Sequence, residues 1–120
     1  MQRTWLVIGA VSGFLAVAAG AFGAHALAGL EERYLNVFKL AAQYQMYHAL
    51  ALVLLGLLPA ERRTATAGVG FAGGTIIFCG TLYLLALTKA GWWGAITPIG
   101  GVLFLVGWAA LAWSALRRAT

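Results

Sequence analysis

Four long stretches without a single charge constrain this chain more than any other feature. Its Asp, Glu, Lys and Arg residues fall at Arg3, Glu31 to Arg33, Lys39, Glu61 to Arg63, Lys89 and Arg117 to Arg118. The intervals between them include Thr4–Leu30, Leu40–Ala60, Thr64–Thr88 and Ala90–Leu116. Each exceeds the ~18 apolar residues that mark a transmembrane helix. Only 9% of the residues are charged and 62% are hydrophobic. A soluble domain carries about a quarter charged residues. The expectation is an all-α membrane protein, a bundle of four transmembrane helices with short loops. The spans run at about 5–26, 41–58, 66–88 and 97–116, and the four together make one membrane domain over residues 1–120 with no soluble domain attached. Strands are disfavoured because a membrane barrel needs alternating segments of about ten residues, and these runs do not alternate.

The formal charge of +5 does not point to nucleic acid. The basic residues sit at span ends instead of forming a patch. They bear on topology. With four spans, Arg3, Arg62, Arg63, Arg117 and Arg118 share one side, and Arg33, Lys39 and Lys89 the other. Lys and Arg favour the cytoplasmic side, so both termini are expected inside, in a multi-pass protein of the bacterial inner membrane. Arg3, the apolar run and Ala24-His25-Ala26 resemble a signal peptide, but an uncharged run of 27 residues exceeds an h-region of roughly 7–15.

Small residues supply packing surfaces. Gly9, Gly13, Ala16, Gly20 and Gly23 form a stripe on the first span. Gly70-x-x-x-Gly74 lies on the third, and Gly100, Gly107 and Ser114 recur at seven-residue spacing on the fourth. Such stripes let membrane helices approach closely. Gly68-x-Gly70-x-x-Gly73 matches a dinucleotide pattern in letters only, because the strand and helix context is absent. Trp92 and Trp93 suit the headgroup belt, and Pro98 suits the first turn of a helix. The single Cys79 reads as a small core residue. Tyr34–Lys39 is amphipathic, and is expected either to lie on the membrane surface or to extend the second span.

The polar residues concentrate in Gln43–His48, "QYQMYH". Gln43, Tyr44, Gln45, Tyr47 and His48, with His25 from the end of the first span, form the candidate polar pocket. At 100° per residue, Tyr44, Gln45 and His48 cover one arc of the helix and Gln43 and Tyr47 another. One reading is interhelical hydrogen bonding. The other is a functional pocket, because an ionisable group at depth is a functional candidate. His48 and Gln45 are expected to point into the bundle, with the first helix near His25 facing the same outer vestibule.

"GAFGAHAL" (Gly20–Leu27) and "AAQYQMYHALAL" (Ala41–Leu52), with "GTLYLLALT" (Gly80–Thr88) and "ITPIGGVLFLVGW" (Ile96–Trp108), resemble a small inner-membrane protein family of unknown function that includes YgdD and YwdK. The resemblance implies a four-span bundle, found mostly in bacteria with relatives in eukaryotes. It implies no activity.

No cofactor or metal is expected. His25 and His48 differ in depth by ~10–15 Å at 1.5 Å per residue, which disfavours a haem. Two His and a distant Cys79 do not make a zinc site. No carboxylate lies within a span for acid–base work, and Ser12 and Ser114 have no neighbouring base. Small multidrug exporters, similar in length, use such a carboxylate. The leading expectation is a non-enzymatic accessory or structural bundle. Its partners are the lipid bilayer and either a second copy or another membrane protein, and not nucleic acid. The alternatives are a transporter or channel-like protein, or a lipid- or quinone-binding protein, built around His48.

Overall fold

The computed structural model describes residues 2–118. The elements are α1 (Arg3–His25), α2 (Glu32–Gly56), α3 (Arg62–Gly74), a π-helical turn (Thr75–Cys79), α4 (Gly80–Thr88), a 3₁₀ turn (Gly91–Ala95) and α5 (Thr97–Arg118). α3, the π turn and α4 run as one continuous rod over Arg62–Thr88. The described residues contain no strand. Tyr34–Lys39 belongs to α2, so this segment prolongs the helix outward. At 1.5 Å per residue α2 is ~37 Å long, beyond the ~30 Å hydrocarbon core.

Among the described residues, three rods are long and apolar enough to cross a membrane: Arg3–His25, Arg62–Thr88 and Gly91–Arg117. α2 is not among them, because "QYQMYH" and the charges at its N-terminal end lower its hydropathy. It is instead the central helix. Phe38, Ala41, Gln45, His48, Leu52 and Leu55 are all buried, and α1, α3, α4 and α5 all lean on it. A helix shielded by protein can carry polar groups that a lipid-facing one cannot.

α1 and α2 form an antiparallel hairpin in register over their full length. Gln2 N–H donates to Gly56 O at 2.6 Å, and Gln2 Nε2 to Leu55 O and Leu58 O. Further along, Gly9 lies against Ala49 and Val53, and Gly23 against the Phe38 ring. The third rod and α5 form the second hairpin. A Cβ at Gly70 would sit 2.8 Å from Leu103 O and 2.9 Å from Gly107 Cα, and one at Gly74 would sit 2.5 Å from Phe104. Gly107 closes on Phe71, and Gly100 on the Phe78 backbone.

The small-residue stripe of α1 is therefore not uniform. A Cβ at Gly13 would sit an ordinary 3.7 Å from Ala49 Cβ, and Gly20 has nothing within 4 Å of the place a Cβ would take. The expectation that Gly20 packs against another helix is corrected. α1 has by then reached a stretch of α2 that it touches through Gly23. Two close approaches went unanticipated. Gly56 receives Leu6, and Gly68 lies beneath the Trp5 indole.

The π turn has a visible purpose in packing. Along the third rod the buried positions include Thr64, Ala67, Phe71 and Gly74, at helical spacing, and then Cys79, Leu82 and Ala86, with Gly68, Gly70 and Thr81 buried beside them. The step from Gly74 to Cys79 is one residue longer than a helical turn allows. The π turn absorbs that extra residue, so α4 keeps its inward face towards α2.

Candidate functional site

The structure divides the six candidate residues instead of gathering them. His25 is exposed at the end of α1. Gln43 and Tyr47 are exposed on the open face of α2, in line with Asn36, Lys39, Leu50 and Leu54. Tyr44 is half-buried, its ring 5.6 Å from Tyr47 and stacked at 5.0 Å on Phe78. Gln45 and His48 are buried, but they serve different neighbours.

His48 faces α5 and α3, away from α1. Its ring stacks on Phe104 at 3.5 Å and 8°, with Phe71 and Trp108 at its edges. Trp108 Nε1–H donates to His48 Nε2 at 3.0 Å. An indole N–H is a donor only, so Nε2 carries no proton. The proton is therefore on Nδ1, which donates to Tyr44 O at 2.7 Å. The tautomer follows from the partners, and both ring nitrogens are satisfied within the protein. The expected vestibule shared by His48 and the His25 end of α1 is not formed, because the small residues of α1 lie against the Phe38, Ala49 and Val53 side of α2.

Gln45 points the other way. Its Nε2 donates to Ser12 O at 3.1 Å and approaches Ser12 Oγ at 3.4 Å, while its Oε1 accepts from Tyr83 OH at 2.6 Å. This triad ties α1, α2 and α4 together at mid-depth. Sequence reasoning missed Tyr83 and set Ser12 aside for want of a base. A mid-span Ser, Gln and Tyr on three apolar helices was the available signal.

Around the triad α1 diverges from the third rod after meeting it where Trp5 covers Gly68. An apolar cavity of about 440 Å³ lies between Val7–Leu15 on one side and Ala72–Tyr83 on the other, floored by Gln45 and Leu52. A second, of about 470 Å³, continues it towards the C-terminal end of α1 past Phe22 and Phe38 and shares Leu15, Gln45 and Tyr83 with it. The π turn contributes Thr75, Ile76 and Cys79 to the wall. Among the described residues no three His, Cys, Asp or Glu side chains come together.

Apolar helices joined by buried hydrogen bonds between them define an all-helical membrane protein. The chain belongs to the family described as "Protein of unknown function (DUF423)", whose family model matches residues 19–101. It is 43% identical to a UPF0382 membrane protein of Staphylococcus epidermidis, over 98% of this chain and 99% of that one. It is 44% identical to a UPF0382 membrane protein of Staphylococcus aureus, over 89% and 90%. UPF0382 membrane protein YwdK of Bacillus subtilis is 39% identical over 97% and 98%. The resemblance read from "GAFGAHAL" and "AAQYQMYHALAL" is therefore correct, and the biochemical function of these relatives is not established. No solved structure matches the chain.

Proposed function

We propose that this chain is a single four-span domain of the bacterial inner membrane, with both termini cytoplasmic, acting as a non-enzymatic accessory bundle that self-associates through the open face of α2. The span count rests on register. α2 lies beside α1 from Gln2–Gly56 to Gly23–Phe38, so it crosses whatever α1 crosses. The orientation rests on the five-to-three distribution of Lys and Arg. A reporter fused after Thr120 is expected to be active in its cytoplasmic form. Periplasmic activity would reverse the topology.

One observation carries self-association. Gln43 and Tyr47 are exposed on one stripe of α2, and Leu50 and Leu54 on the same stripe are 60% and 52% exposed. Lipid tails offer an amide nothing. A second copy does, because a Gln amide is both donor and acceptor and so pairs with itself across a two-fold axis. The transporter reading loses support from the same region, since both nitrogens of His48 are engaged.

The test is Gln43→Cys in native membranes. Mild oxidation is expected to give a disulfide-linked dimer, and Val69→Cys, on the exposed face of α3, is expected to give none. Absence of the Gln43→Cys dimer, with a photo-crosslinker at Tyr47 trapping another protein, would assign the face to that protein and overturn self-association. Absence of both adducts would overturn the accessory reading. Proteoliposome proton flux that His48→Gln abolishes would establish the transporter reading instead.

A further inference from the structure

The groove between α1 and the third rod lies away from the proposed α2 interface. We propose that it binds an uncharged lipid carbonyl at mid-depth, specifically the head of an isoprenoid quinone, with the prenyl tail lying along α1. The two cavities share Leu15, Gln45 and Tyr83 and together run from Val7 to Phe22. At 1.5 Å per residue that is ~22 Å, most of the ~30 Å hydrocarbon core. A chain-like ligand therefore fits the groove better than a compact one.

The polar group within it selects the head. Ser12 Oγ lies 3.4 Å from Gln45 Nε2, which acts as the donor. A hydroxyl also has one proton to give, and that contact does not use it. Ser12 lines the cavity, so the proton can go to a carbonyl in the groove. Ser12 is nine residues from one end of α1 and thirteen from the other, or ~13–20 Å from either end. Phospholipid heads are charged and stay at the interface. The carbonyls of a quinone are uncharged and can enter the hydrocarbon core. No charged side chain lines either cavity, which matches an uncharged head. The π turn places Thr75, Ile76 and Cys79 on the opposite wall, which keeps that wall uncharged.

The experiment is native mass spectrometry of the full chain released from detergent, with decylubiquinone or dioctanoylglycerol added. A one-to-one decylubiquinone adduct is expected. Ser12→Ala should weaken it ~10-fold, the worth of one buried hydrogen bond. Leu15→Trp, at a 52% exposed position that tolerates bulk, should fill the groove and abolish the adduct, whereas Val69→Trp should leave it unchanged. Melting curves confirm that each variant is folded. No quinone adduct on folded protein would overturn the proposal. So would an adduct indifferent to Leu15→Trp, or dioctanoylglycerol binding in place of the quinone.

Discussion

Gly100→Leu is expected to abolish the folded bundle, leaving no monodisperse protein on size exclusion in mild detergent, while Gly20→Leu elutes as the parent does. The difference lies in what each side chain would meet. A Cβ at Gly100 would sit 2.7 Å from Phe78 Cα. That atom is backbone within the π turn and cannot rotate away. Overpacking where neighbours can adjust costs about 1–3 kcal/mol, and here the rod itself would have to move off α5. Such a shift would also pull Phe78 from Tyr44 and Phe104, which it meets at 5.0 and 5.3 Å. It would break the buried Thr81–Thr97 hydroxyl pair as well, 2.7 Å apart between α4 and α5. Gly20 faces open space, and a leucine there adds only lipid-facing surface. Parent-like behaviour of Gly100→Leu would show that the second hairpin does not close as described.

These glycines also mark what could be read in the sequence. Charge-free runs set the helices, because hydrocarbon permits no unpaired backbone. Small-residue spacing located the close approaches at Gly9, Gly70, Gly74, Gly100 and Gly107. Spacing cannot say which face a stripe turns to its neighbour, and so Gly20 was included while Gly56 and Gly68 were not. The bulky residues that fill those two glycines, Leu6 and Trp5, lie more than forty positions away. The π turn was not legible either, since the need for it arises only when α4 must continue facing α2. In "QYQMYH" the two arcs were readable from 100° per residue. Their destinations were not, because neighbours in space are set by how the two hairpins dock. That docking sends Gln45 towards Ser12 and Tyr83, and His48 towards Trp108.

The second large effect concerns His48 and Trp108. Trp108→Phe is expected to destabilise the bundle by about 1–3 kcal/mol, because it leaves the Nε2 acceptor of a residue only 4% exposed without its donor. His48→Phe is expected to cost a similar amount. It keeps a ring against Phe104 but strands the Trp108 N–H, which lipid cannot satisfy. The double variant removes both polar atoms and leaves two phenyl rings among Phe71 and Phe104. Replacing both partners of a hydrogen bond by apolar groups of similar shape is nearly neutral, so the double should be more stable than either single. A thermodynamic cycle read by chemical denaturation in detergent is expected to give a coupling at least as large as the cost of either single variant, about 1–3 kcal/mol or more. His48→Gln should fall between, since an amide oxygen can still accept from the indole but cannot stack. Additive costs would mean that His48 Nε2 does not depend on Trp108. The imidazole would then be free for a proton or a ligand, and the transporter reading would regain its strongest residue.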